Sequence, residues 1–416
     1  MASPLIRPYL IFFVLSVLWI VSMFYRVSNA VIATSLVQDL GLDPESLGFL
    51  GGAYFYSLAL FQIPMGPMLD RIGPRILVTF FPLIGALGSF FFALGESFTV
   101  ALLGRILIGV GMAPVLMGAL KVFTVEFPPE KFATLVGVIL AVGTFGNIIA
   151  GSPLAYLNAT IGWRMTFILA GGITTVLAIL VFWVLGGEKS RDEKIRLSSG
   201  SEPKIGVFQS IRLILGSLAF WQIGSVAFFS YGTFVGLQGL WLGPYLMEIK
   251  GYSSIQTGHL LIMCAIGVIV GGPISGRISD RHFDSRKKVV LFGLTLYSLS
   301  LLPLTGIIEI RNIILDGFIF FSIGFLNAFS LIVYSHAKEL FHINISGTVT
   351  AWISSFFMAG GAIFMPALGK IIESFPHTAH GYPAEAYHLS FLVCVLGMAM
   401  SLVFYAFSKE RSRTSP

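Results

Sequence analysis

Twelve stretches of about 20 or more mostly apolar residues run through this chain, at about 9–36, 47–69, 76–95, 98–121, 132–156, 163–186, 212–238, 256–278, 288–307, 312–336, 348–372 and 387–407. Hydrocarbon offers no hydrogen-bond partner, so a crossing segment must satisfy its own backbone, which leaves helices and closed barrels. The runs lack the short alternating pattern of a barrel strand. The expected fold class is therefore an all-α integral membrane protein with twelve transmembrane helices. Charged residues make up 11% of the 416 residues, against about 25% in soluble proteins, and the mean hydropathy is +0.87. The 46 glycines and 38 phenylalanines fit tightly packed helices facing lipid.

The net charge of +6 does not point to nucleic acid, because the basic residues sit in short linkers between apolar runs. Their bias sets the orientation. Arg71, Arg75, Lys121, Lys131, Lys189, Arg286, Lys287 and Lys288 fall on one side with Arg7 and the tail residues Lys409, Arg411 and Arg413. Arg164, Lys250, Arg311 and Lys370 are the bases near the other side. Both termini are expected in the cytoplasm, at a bacterial inner (cytoplasmic) membrane. The polar stretch 187–211 separates an N-terminal bundle, 1–186, from a C-terminal bundle, 212–407, with a tail at 408–416. The first run is too long for a signal-peptide core and lacks a small-residue cleavage site. Cys264 and Cys394 lie inside apolar runs and read as packing residues, with no disulfide scaffold or metal site.

Segments 41–71 and 251–281 match at a constant offset of 210 residues. Gly41 pairs with Gly251, Gly48 with Gly258, Gly66 with Gly276, Asp70 with Asp280 and Arg71 with Arg281. Such an internal repeat is the trace of a duplicated six-helix unit. Gly66 and Gly276 would let neighbouring helices approach closely. Asp70 and Asp280 would accept hydrogen bonds from a nearby helix start or pair with an arginine. Arg71, Arg75 and Arg281 would anchor the loops at the anionic inner surface. The repeated set is read as a gating latch; the plainer alternative is that it sets topology alone.

The run "GPMLDRIGPR", its degenerate second copy "GRISDRHFDSRK", and "GRILIGVGMAP" with Arg105, which is grouped with the gating residues, resemble signature motifs of the major facilitator superfamily. The glycine-rich fifth run and "GWRMTF" from Gly162 to Phe167 add to the likeness, which covers nearly the whole chain. It implies two six-helix bundles, a central path lined by spans one, four, seven and ten, alternating access, and a chain that acts as a monomer. His282, Phe283 and Asp284 depart from the pattern in the second copy. "YR" in the first span, Lys121 and "GWRMTF" are similar to the organic anion and organophosphate carriers. Phosphate-ester carriers pair the first-span arginine with a base in span seven; Gly236 stands at the repeat position of Arg26, so the resemblance favours a monoanion such as a carboxylate.

Arg26 lies in the middle of the first run, where a charge costs about 2.5–3.5 kcal/mol even on insertion scales. Its fork of donors suits an anion reached through water; the alternative is an ion pair with an acid such as Asp316. Asn29 shares its face. On the resemblance, the candidate substrate-binding residues are Tyr25, Arg26, Asn29, Tyr54, Lys121, Asn147, Trp221, Tyr231, Gln238, Asn327 and Tyr334, any single aromatic among them being as readily a packing residue. His259, Asp316 and His336 are candidates for proton coupling. No ATP-binding, dinucleotide, zincin or nucleophile-elbow motif occurs, so neither an enzyme nor a cofactor is expected. The reading is a secondary transporter of a small organic anion across the lipid bilayer, coupled to a proton or a counter-anion. The rivals are an exporter of amphipathic compounds and a transporter-like sensor that binds without net transport.

Overall fold

The computed structural model describes residues 7–186, 213–281, 285–307, 312–341, 346–376 and 381–409. The connector 187–211 lies outside the described residues, as does the tail from 410. Among the described residues the regular structure is helical with no sheet, and ten helices are long and apolar enough to cross a membrane. The chain is a multi-span, all-α membrane protein.

The helices are α1 (Arg7–Val27), α2 (Asn29–Leu40), α3 (Pro44–Arg71), α4 (Pro74–Leu94), α5 (Phe98–Met112), α6 (Val115–Glu126), α7 (Pro129–Ile149) and α8 (Ser152–Val184). They continue as α9 (Leu218–Gly236), α10 (Ser254–Arg281), α11 (Arg286–Ser300), α12 (Ile313–Asn327), α13 (Ile332–Leu340), α14 (Ser346–Glu373) and α15 (Ala384–Ala406). Three apolar runs that read as continuous are each two helices: the first breaks at Ser28, the fourth at Ala113–Pro114 and the tenth at a 3-10 turn, Ala328–Leu331. α9 runs on through π-helical turns at Leu237–Trp241 and Tyr245–Ile249.

Local chemistry sets many of the boundaries. Pro74 and Pro129 open α4 and α7, where a missing N–H is harmless. Asn312 accepts from the backbone N–H groups of Ile314 and Leu315 to start α12. The repeat has a backbone cause at its first pair: Gly41 and Gly251 both turn left-handed, with φ of 61° and 71°, a region that costs a side chain about 1–2 kcal/mol. Gly251→Ala should therefore lower stability by about 1 kcal/mol, read as a fall in Tm in detergent, although the site has room for a methyl group.

The chain forms two compact units. One holds 7–41 and 53–186; the other holds 42–52 and 213–409. In the first, Gly88 and Gly104 bring α4 and α5 into backbone contact, a Cβ on Gly104 falling 2.5 Å from the Phe92 nitrogen. In the second, Gly324 of α12 packs so close to the Cys264 carbonyl of α10 that no Cβ fits. Small residues are what allow such approach, and between membrane helices packing must replace the missing hydrophobic drive.

The close approach expected at Gly276 is not found among the described residues: a Cβ there would meet none of their heavy atoms within 4 Å. The α10–α12 contact uses Gly267, Gly271 and Gly324 instead.

Candidate functional site

In the first unit the site begins with the break in helix one. Ser28 keeps right-handed helical angles, and its hydroxyl donates back to the Tyr25 carbonyl at 3.3 Å, a bond of the kind that bends helices. Arg105 Nη1 donates to the same carbonyl at 3.0 Å. Arg26, the next residue, is half-buried, with its guanidinium carbon 5.8 Å from the Trp19 ring centre and 5.9 Å from that of Phe55.

Tyr25 and Tyr54 are both fully buried. The Tyr25 hydroxyl pairs with Thr174 Oγ1 at 3.1 Å, and the Tyr54 hydroxyl donates to the Ser22 carbonyl at 3.2 Å. Their hydroxyls are thus engaged inside the bundle, which makes them supports of the Arg26 segment.

Asn29 is 1% exposed, and neither atom of its amide meets a hydrogen-bond partner among the described residues. Asn147 is half-buried, and its Oδ1 is likewise without a partner. Gly143 and Gly146 of α7 pack on Trp19 and Ile20 of α1. Buried amides normally hydrogen-bond, so Asn29 and Asn147 have unused capacity. Lys121 is half-buried near the end of α6.

The "GWRMTF" segment joins helix ends. Gly162 has a φ of 79°, breaking α8. Trp163 then donates its indole N–H to Asp39 at 2.9 Å, and Arg164 Nη1 donates to the carbonyls of Ala93 and Gly95 at 2.9 and 2.7 Å.

In the second unit, Tyr231 and Tyr334 are half-buried on either side of Phe357, at 5.6 and 5.3 Å between ring centres. Ser354 pairs with the Tyr334 hydroxyl at 3.0 Å. Ser354 and Phe357 complete this aromatic wall, and no sequence signal singled them out. Gln238 donates to the Leu261 carbonyl at 3.3 Å and Asn327 to the Ser230 carbonyl at 3.0 Å, so both amides brace helices. Trp221 is 44% exposed and donates to the Leu215 carbonyl, an ordinary interfacial pose.

The three titratable candidates stand apart in kind. His259 is exposed. His336 is buried, with Nδ1 2.6 Å from the Tyr405 hydroxyl and Nε2 3.2 Å from the Lys409 carbonyl. Asp316 is 4% exposed and accepts from Lys250 Nζ at 3.1 Å and from the Tyr252 hydroxyl at 2.7 Å. Asp316 therefore has Lys250 as its ion-pair partner, an assignment the sequence had left open. Burial, reinforced by the bond to Asp316, pushes the Tyr252 hydroxyl up to about 12, so it stays a donor near neutral pH. Asp316→Asn should cost about 3 kcal/mol by breaking the buried pair with Lys250, and Lys250→Met in the same protein should restore part of the loss. Thermal unfolding of the four proteins of this cycle measures both effects.

Of the gating set, Arg71 is exposed and Arg75 lies over the Phe182 ring at 4.4 Å. The side chains of Gly66, Asp70, Asp280 and Arg281 lie outside those described. Beside the second copy, Arg286 bonds to Glu339 at 3.1 Å and to Ser279 at 2.7 Å, a tie the 210-residue offset does not register.

The profile of the Major Facilitator Superfamily matches residues 14–365. The "Probable sulfoacetate transporter SauU" of Cupriavidus necator is 23% identical over 86% of this chain and 86% of its own length. The "Probable L-galactonate transporter" of Escherichia coli is 24% identical over 94% of this chain and 87% of its own. The "Probable galactarate/D-glucarate transporter GudP" of Escherichia coli is 23% identical over 63% and 65%.

Among solved structures, a bacterial homologue of the human lysosomal transporter Spinster superposes with a TM-score of 0.78 at 19% identity, covering 98% of both chains. A D-xylose–proton symporter superposes with a TM-score of 0.75 at 14% identity, covering 98% of this chain and 99% of its own. The protein is a multi-pass membrane transporter. It belongs to the Major Facilitator Superfamily.

Proposed function

We propose that this chain carries a small organic anion, a carboxylate or related metabolite, by alternating access of two six-helix bundles. In this reading the ten apolar helices, with α3 and α7, are the twelve spans of that arrangement, and the basic linkers support both termini on the cytoplasmic side of a bacterial inner membrane. The protein acts as a monomer, and proton symport or exchange for a counter-anion offsets the charge moved. Such compensation is needed because each unit charge crossing a membrane changes the energy by about 2.3 kcal/mol per 100 mV.

The observation that carries this reading is the setting of Arg26. The cation lies within a spanning helix, held against two aromatic faces, and the same unit holds the amides of Asn29 and Asn147 with unused hydrogen-bond capacity. A guanidinium binds a carboxylate through two parallel bonds, and the amides can give and accept bonds with hydroxyls on the same guest. Three relatives named for sulfoacetate, L-galactonate and galactarate/D-glucarate support an acidic substrate. Within the second unit, Tyr231, Tyr334 and Phe357 are candidate contacts that select the shape of the solute. Asp70, Arg71, Arg75, Asp280 and Arg281 act in gating, and Asp316 is the buried carboxylate on which proton coupling is best sought.

A binding screen by thermal shift over carboxylates, sulfonates, phosphate esters, amino acids and nitrate tests the assignment. Stabilisation by carboxylates or sulfonates in wild type, lost in Arg26→Ala, is the expected pattern. A hit list of hydrophobic cations would instead favour an exporter of amphipathic compounds.

A further inference from the structure

The second cation near the break in helix one has a different character from Arg26. Arg105 is 0% exposed, and among the described residues it is the one charged side chain of its unit buried so completely. Its contacts are the Tyr25 carbonyl at 3.0 Å and the ring faces of Phe92 and Tyr54, at 5.6 and 5.7 Å. Among the described residues, Nε and Nη2 meet no hydrogen-bond partner. Among those residues the ionisable groups acting on it are the phenols of Tyr25 and Tyr54, with no carboxylate.

Arginine does not lose its proton in proteins, and an isolated buried charge is costly unless paired. The carbonyl end of α1 and the two rings offset part of that cost. They are dipoles and quadrupoles, so the full positive charge remains to act at a distance. It sits one peptide unit from Arg26.

We propose that Arg105 is a positioning residue that supplies a second positive charge felt at the Arg26 site, and so makes the transporter favour a dianion over a monoanion. This rests on the anion binding at Arg26 proposed above. It also reverses the preference for a monoanion drawn from the absence of a base in span seven. The second charge comes from α5, beside helix one, and it acts through its field rather than by touching the solute.

Coulomb's law gives the size. At about 10 Å, with an effective dielectric of about 20, one charge changes the affinity for a unit charge roughly ten- to twentyfold. The effect is linear in guest charge, so the fold-change for a dianion is roughly the square of that for a monoanion.

The test uses two probes with one hydroxylated six-carbon chain, D-gluconate with one carboxylate and D-glucarate with two. Their affinities are measured by calorimetry on the purified full chain as wild type, Arg105→Met and Arg26→Ala. Wild type should bind D-glucarate more tightly. Arg105→Met should weaken D-gluconate about tenfold and D-glucarate about a hundredfold. A packing role alone would weaken both probes equally, and that outcome overturns the proposal. So does a wild type that prefers D-gluconate, a reading that remains available if Arg105→Met does not fold. If Arg26→Ala leaves both affinities unchanged, or wild type binds neither probe, the anion-site reading itself fails.

Discussion

Arg26→Ala should lower the affinity for the transported anion about a hundredfold. Truncating one partner of a desolvated, hydrogen-bonded charge pair costs about 2–5 kcal/mol of binding, and 1.4 kcal/mol is a factor of ten. Arg26→Lys keeps the charge but loses the planar fork, and should sit between, at about tenfold. Titration of the anion into the three purified proteins reads these affinities. An Arg26→Ala protein that binds the anion as tightly as wild type would remove Arg26 from the site.

Gly324→Val should prevent the second unit from folding, whereas Gly276→Val should fold normally. At Gly324 the new Cβ would overlap the backbone carbonyl of Cys264. A carbonyl within a helix cannot rotate aside, so α10 and α12 would have to separate along their length. Overpacking usually costs about 1–3 kcal/mol, and here the upper figure or more is expected because no flexible side chain can yield. At Gly276 the Cβ meets nothing within 4 Å, so any loss there would be one of transport rates. Yield and monodispersity after detergent extraction separate the two variants; uptake assays on Gly276→Val then test its place in gating.

The spanning character of the chain was legible because lipid leaves so few options to an apolar run of about 20 residues. The repeat was legible for a related reason: Gly41 and Gly251 recur because both sites need a left-handed turn. The reading was weaker wherever function depends on a partner far away in sequence. That Tyr25 and Tyr54 are buried supports follows from Thr174 and Ser22, which no spacing connects to them. Asp316 could have faced Arg26 as far as hydrophobic periodicity tells; Lys250 and Tyr252 decide the matter, and they come from beyond the end of another span. The break at Ser28 was hidden because serine is tolerated within helices, so one apolar run gave no warning of two helices. Arg105 was recognised by resemblance alone, and its lack of a carboxylate partner is a fact of packing.

Uptake of a labelled organic anion into proteoliposomes tests the central claim most directly, using wild type and Arg26→Ala, each with and without an inward proton gradient. Wild type should concentrate the anion above its external level when the gradient is present and exchange it down its gradient otherwise, and Arg26→Ala should do neither. Equal uptake by the two proteins would contradict the account, because the anion would then cross without the cation on which the site is built.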